Sequence, residues 1–141
     1  MSKNTDYPVT PAVRFLRTHQ INFEPYIYVY EEHGGTGQFA ELFGVDEHQV
    51  VKTIVLQNEA KKGLVVVMHG DKQISTRNLA RDLGMKHIEP ADPKQANKWT
   101  GYLVGGTTPF GMKTRLPVYV EKSIWDLEKV YINGGKRGFI I

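Results

Sequence analysis

The sequence predicts an α+β protein: a single compact domain, residues 1–141, in which a mixed, largely antiparallel β-sheet is flanked by several short helices. Three observations lead there. Two apolar runs, residues 49–57 and 63–68, lie one turn apart, as the arms of an antiparallel hairpin do. The helical patterns are short and separately capped, and they do not alternate one for one with strands as a parallel βαβ fold would require. At 141 residues and 16.0 kDa the chain can bury one real core and is too short for two.

Taken in order, the elements begin with a helix opened by Thr10 as cap and Pro11 at the first helical position, with Val13 and Leu16 on one face. Residues 23–30 read as a strand, with Tyr26, Tyr28 and Tyr30 on one face and Ile27 and Val29 on the other. The three tyrosines either line a pocket or form a half-buried sheet surface. After a glycine-containing loop, residues 38–43 form a short helix stopped by Gly44, and Asp46 marks a turn. From Gln49 the pattern alternates: Val50, Lys52, Ile54 and Leu56 point one way, which makes Lys52 the charged member of an apolar face. Residues 58–62 turn the chain into the buried strand 63–68, and Gly70-Asp71 turns it again. Ser75 caps a helix that ends at Gly84, with Leu79 and Leu83 facing the core. Asp92-Pro93 opens another helix to about Lys98, closed by Trp99. Residues 100–104 read as a short apolar strand running into the loop Gly105-Gly106-Thr107-Thr108-Pro109-Phe110-Gly111. Strands at 116–120 and 129–133 flank a short helix or turn at 123–127, and residues 134–138 form a hairpin-like turn into Phe139-Ile140-Ile141.

Composition excludes several classes. The chain has no cysteine, so it holds no disulfide, no thiolate nucleophile and no Cys-based metal site. Met1 to Asp6 is polar, and the longest aliphatic run, residues 64–68, is too short for a signal core or a membrane span. Cytoplasmic residence is expected. The net charge of +3 is uneven: residues 1–97 hold 11 Lys/Arg against 12 Asp/Glu, and residues 98–141 hold 7 against 3. Such a basic excess either attracts a polyanion such as RNA or is a solvated surface.

Of the chemical motifs, Gly106 to Thr114 fails as a phosphate loop, because Met112 separates the second glycine from Lys113 and Pro109 deletes an amide. Histidines 19, 33, 48, 69 and 87 form no i, i+4 pair and no His-Glu-x-x-His, so neither a zinc site nor any other metal or cofactor is expected. No Gly-x-Ser-x-Gly elbow singles out a serine. Two features remain. A lysine on an apolar strand face must snorkel to an edge or meet a carbonyl or anionic partner. A loop with three glycines and a proline in seven residues is either a tight connection or a presenter of backbone groups.

With these residues together, the chain resembles the YbaK/prolyl-tRNA editing (ProX, INS-like) family of aminoacyl-tRNA deacylases. The match runs from Thr10-Pro11-Ala12-Val13 through Gln49-Val50-Val51-Lys52-Thr53, Ala91-Asp92-Pro93 and residues 100–111 to Arg115-Leu116-Pro117 and Gly134-Gly135-Lys136-Arg137-Gly138. It is similar above all to the YbaK branch, whose members remove cysteine from mischarged prolyl-tRNA. The resemblance implies the α+β fold already inferred, a mischarged aminoacyl-tRNA as partner, prolyl-tRNA synthetase as a possible second, and no membrane.

By that resemblance Lys52 sits in the substrate pocket, and Gly105, Gly106, Thr107, Thr108, Pro109, Phe110 and Gly111 supply main-chain groups to the aminoacyl-adenosine end. The pocket tyrosine falls on Tyr28 or on Tyr30. Asn133 stands where the YbaK branch carries a serine, and Ile140 where it carries an aspartate; the chain ends at Ile141, where the family runs on into a helix. Lys52, Tyr28 and Asn133 are thus the implied catalytic set. The implied function is editing of Cys-tRNA(Pro), by hydrolysis or by attack of the cysteinyl thiol itself. The alternatives are a non-catalytic tRNA- or synthetase-binding module, or a deacylase for Ala- or Ser-tRNA.

Overall fold

The computed structural model describes residues 6–141; the polar start, residues 1–5, lies outside them. Helix α1 (Pro11–Thr18) begins as its sequence dictates, with the Thr10 hydroxyl accepting from the Val13 amide and Pro11 in the first turn. The following strand is shorter than expected. Only β1 (Tyr26–Ile27) pairs regularly, yet alternation persists to residue 30: the three tyrosines stay half-buried, while Ile27 and Val29 are exposed. Helix α2 (Gly35–Phe43) starts three residues earlier than Gln38 and ends at left-handed Gly44.

The predicted hairpin forms. Strands β2 (Val51–Asn58) and β3 (Gly63–His69) are antiparallel, with Lys52 opposite Met68 and Leu56 opposite Leu64. Both faces are covered, which is why the arms are almost continuously apolar. Leu56, Leu64 and Val66 pack with Ala80 of α3 (Thr76–Leu83) and with Ile88. On the other side Val51 and Val67 meet Val13 and Leu16 of α1, and Val55 and Val65 meet Ala96 of α4 (Pro93–Thr100). Strand β4 (Ile88–Pro90), not anticipated from the sequence, adds antiparallel to β2, and β5 (Val118–Val120) adds parallel to β3. The larger sheet is therefore mixed, in the order β4-β2-β3-β5.

A second, antiparallel sheet orders β1, β7 (Phe139–Ile140) and β6 (Asn133–Lys136). It joins the first through Val50 and Tyr131, where the Val51 amide donates to the Tyr131 carbonyl at 2.9 Å. The expected strand at 129–133 is reduced to that bridge, and pairing starts at Asn133. Residues 134–136 are strand, carried past two glycines by an irregularity in the register, so the turn is shorter than expected. Phe139 explains the glycine: a Cβ at Gly134 would lie 2.5 Å from its ring.

Residues 100–104 do not form a strand. Thr100 is the last residue of α4, Gly101 caps it at φ 83°, and the Thr100 hydroxyl returns to the Ala96 carbonyl at 2.8 Å. Tyr102 is then pinned by its own hydroxyl, which donates to the Phe110 carbonyl at 2.6 Å. Two 3-10 turns, Glu47–Gln49 and Lys122–Asp126, complete the chain. Among the described residues no helix is long and apolar enough to cross a membrane.

Candidate active site

Between the two sheets the start of β2, the segment after β1, the loop after α4 and the start of β6 enclose an open cavity of about 500 Å³. Its walls include Tyr28 and Tyr30, Thr36 and Phe39 of α2, residues 51–55 of β2, Pro90 and Ala91, Val104, Gly105 and Thr107, and Asn133 and Ile140. Among the described residues this lining holds one cation, Lys52, and no carboxylate, imidazole, serine or thiol.

Lys52 resolves its conflict with an apolar strand face by meeting a carbonyl just past the end of β3. Its Nζ donates to the Gly70 carbonyl at 3.4 Å. That carbonyl is fixed, because the Gly70 amide donates to the Val50 carbonyl at 2.7 Å and a side chain at Gly70 would collide with Thr36 and Val50. An ammonium has three donors, and this bond engages one of them.

Both tyrosines reach the cavity. Tyr28 is tied by its amide to the Gly138 carbonyl at 3.0 Å and leans on the Phe39 ring, 5.8 Å away. Burial, with Tyr30 adding, pushes its pKa above the ordinary tyrosine value, so its hydroxyl is a proton-bearing donor at neutral pH. Tyr30 lies under the Arg137 guanidinium, 5.3 Å from ring centre to Cζ. Its hydroxyl end meets Gly105, where a Cβ would stand 2.5 Å from the phenolic oxygen and where φ is +91°.

The glycine loop divides into two parts. Gly105 and Thr107 line the cavity. Gly106, Thr108, Pro109, Phe110 and Gly111 are not in its walls. The Gly106 amide is spent on the Leu103 carbonyl at 2.8 Å, closing a turn, and its Cα packs on the backbone of Lys136 and Arg137. Thr108 is fully buried, Phe110 stacks on Phe15 at 5.9 Å, and Gly111, at φ +65°, abuts the Pro11 carbonyl so closely that a Cβ would be 2.6 Å from it. This second part anchors the loop to α1.

Asn133 borders the cavity, and its amide is occupied by bonds within the fold. Its Oδ1 accepts from the Gly135 and Lys136 amides at 2.7 and 3.2 Å, and its Nδ2 donates to the Gly105 carbonyl at 2.9 Å. It is a clamp between the β6 irregularity and the cavity loop. Arg137 provides a second clamp, with Nε donating to the Val104 carbonyl at 2.7 Å.

Sequence spacing hid one further cluster. The β2–β3 register and the Glu47–Gln49 turn bring His48, His69 and Asp71 together, with their ligand atoms within 4.8 Å of one another. His69 is buried, bonded through Nδ1 to the His48 carbonyl and through Nε2 to the Ser123 hydroxyl, both at 2.7 Å. The two imidazoles stack 3.7 Å apart at 9°, so their in-plane lone pairs do not converge on one point as a shared metal ion would require. The arrangement ties β3 to two turns.

The comparisons with known proteins agree with this architecture. EbsC of Enterococcus faecalis, named as a candidate Cys-tRNA(Pro)/Cys-tRNA(Cys) deacylase, is 28% identical over 142 residues, covering 100% of this chain and 87% of that protein. A proline–tRNA ligase of Brachyspira hyodysenteriae is 27% identical over 96 residues, which are 68% of this chain but 17% of the ligase. A solved structure described as a candidate trans-editing enzyme for prolyl tRNA synthetase superposes with a TM-score of 0.81 at 21% identity, over 92% of this chain and 82% of that one. The sequence model described as "Aminoacyl-tRNA editing domain" matches residues 33–141, which contain Lys52, the cavity loop and Asn133. The chain belongs to the aminoacyl-tRNA editing domain family.

Proposed function

We propose that the chain is a single editing domain, acting in trans as a deacylase that cleaves the ester of mischarged aminoacyl-tRNA, with Cys-tRNA(Pro) as its substrate. The observation that carries this reading is the Lys52 ammonium, held by one carbonyl in a largely apolar cavity whose described lining has no carboxylate or imidazole. An aminoacyl ester is already activated, so orientation and charge stabilisation are most of what a protein must add. Lys52 holds the ester carbonyl oxygen or the terminal ribose, the protonated Tyr28 hydroxyl and the Gly105–Thr107 backbone flank it, and Asn133 keeps Gly105 in place.

The missing nucleophile is supplied by the substrate. The cysteinyl sulfur attacks its own acyl carbon, the ester C–O bond breaks, and the thiol proton passes to the departing ribose oxygen, leaving a cyclic thioester. That route makes the enzyme a lyase; water in place of the thiol makes it a hydrolase. Phe39, Val51 and Ile140 in the wall suit a small uncharged side chain. Similarity to EbsC and to part of a proline–tRNA ligase supports the prolyl system as the source of the error and prolyl-tRNA synthetase as a partner. A synthetase pocket discriminates weakly between near-isosteres, and a second site then sorts them. The work belongs in the cytoplasm, with translation.

Single-turnover deacylation of Cys-, Ala- and Pro-tRNA(Pro) by wild type and Lys52→Ala tests the reading. Loss of the cysteinyl ester alone is expected, slowed by about 10²–10³-fold in the variant, as for removal of an oxyanion donor. Full activity in a folded Lys52→Ala protein refutes the mechanism. The occupied amide of Asn133 and the apolar Ile140 favour one second reading, a binding module without turnover. Saturable RNA binding with no ester loss would establish it, and loss of the alanyl ester instead of the cysteinyl one would mean a different specificity.

A further inference from the structure

A second concavity, of about 350 Å³, is walled by Arg77, Arg81, Lys86 and His87 over Ala80 and Ile88. The averaged charge of residues 1–97 conceals this cluster. Helix α3 carries it at some expense to itself: Arg77 lies in the first turn, just after the Ser75 cap, where a cation opposes the helix dipole. Arg81 follows four residues later, where like charges repel, although its place in the last turn suits the dipole.

Compensation is partial: besides that place of Arg81 in the last turn of α3, His87 pairs with Glu89 at 3.1 Å. Among the described residues Arg77 and Lys86 have no ion-pair partner, and the Arg81–Asp82 contact is 3.7 Å long between side chains 74% and 68% exposed. The two nearby carboxylates are already held in the network that shapes this turn. Glu59 accepts the backbone amides of Lys86 and His87 at 3.0 and 3.3 Å and so fixes that turn, and Glu89 is held by Gln57, Lys61 and His87. A first-turn arginine without an ion-pair partner, beside an equally unpaired Lys86, is the kind of local cost that functional sites carry.

Strand β4 connects this groove to the cavity. Ile88 forms part of the groove and Pro90 part of the cavity wall. Two residues of extended strand separate them, about 7 Å, a spacing on the scale of one nucleotide. We propose that the Arg77–Arg81–Lys86–His87 groove binds the phosphate backbone of the tRNA acceptor arm while the aminoacyl end occupies the cavity. The placement of the acyl end rests on the editing reading; RNA binding by the groove is measured without it.

The probe is an uncharged acceptor-stem hairpin of tRNA(Pro), followed by fluorescence anisotropy at several salt concentrations. Arg77→Gln/Arg81→Gln, checked for folding by its thermal transition, is expected to bind about ten-fold more weakly, with a log K against log[salt] slope shallower by about 1.4–1.8, the value for two lost phosphate contacts. Arg77→Lys/Arg81→Lys should keep the slope. Lys72→Ala/Lys122→Ala removes equal charge outside the groove and should bind as wild type. Unchanged affinity and slope in the folded glutamine variant overturn the proposal, as does an equal loss in the Lys72/Lys122 control. Ester cleavage by wild type is scored separately: arginine-dependent RNA binding without cleavage sinks the editing reading alone, and cleavage without arginine dependence sinks the groove alone.

Discussion

Asn133→Ala removes a clamp whose worth is readable from its three hydrogen bonds. Two go to the β6 amides of Gly135 and Lys136, and one goes to the Gly105 carbonyl. A hydrogen bond contributes about 0.5–1.5 kcal/mol net, and these lie at a half-exposed position where water can replace part of each, so the loss is about 1–3 kcal/mol. For a domain of this size that lowers the thermal midpoint by roughly 4–10 °C. Arg137 still holds the neighbouring Val104 carbonyl, so the loop loosens without detaching. The deacylation rate should fall more than stability alone explains, because a displacement near 1 Å at a positioning group costs up to about 10²-fold. Asn133→Ser separates the two roles. A serine hydroxyl can accept from the amide two residues on but is too short to span to Gly105. It should therefore recover part of the midpoint and little of the rate. Differential scanning fluorimetry beside single-turnover deacylation reads both, and an Asn133→Ala protein with the wild-type midpoint and rate would refute the clamp.

Two further perturbations test the fold around the site. Gly135→Ala puts a Cβ at φ +101°, 2.9 Å from the Tyr102 ring and 3.0 Å from Thr10, and should cost about 2–4 kcal/mol of strain and overpacking. Gly84→Ala, at φ +69° with nothing within 4 Å, should cost only the backbone term of about 1 kcal/mol; equal losses in denaturant unfolding would contradict the clash. Glu89 is held at about 2 by hydrogen bonds from Gln57, His87 and Lys61, below its ordinary 4.5. A depressed carboxylate contributes above its unfolded pKa and loses that contribution as pH falls toward its folded one. The stability gap between wild type and Glu89→Gln should therefore be full above about pH 4.5 and close between 4.5 and 2; a gap constant across that window in urea titrations would count against the network.

Local signals made most of the helices and the central hairpin legible. Thr10-Pro11, Ser75 and Gly84 act within one turn of themselves, and their expected roles are the observed ones. The hairpin followed from apolar alternation because both of its faces are covered. Signals failed where a tertiary contact decides. The apolar triplet Tyr102-Leu103-Val104 looked like a strand, but Gly101 had already left the extended region to cap α4; Tyr102 is buried while Leu103 and Val104 are 58% and 51% exposed. Strand β6 runs through two glycines, which no propensity favours, because the Phe139 ring occupies the space a Gly134 side chain would fill and Tyr102 and Thr10 occupy that of Gly135. The short β4 likewise exists only as a partner for the end of β2.

The site was legible in the same uneven way. Lys52 stood out because a charge interrupts an apolar face, a conflict visible in one strand alone. The loop's glycines, by contrast, are explained by different neighbours that only the fold supplies. Gly105 admits the tip of Tyr30, Gly106 admits the turn after β6, and Gly111 admits the first residue of α1. Only the first of these borders the cavity. A glycine-rich loop beside a binding cavity is therefore not, residue by residue, a row of ligand-facing amides: here one glycine shapes the cavity, and the others hold the strut that lets it do so.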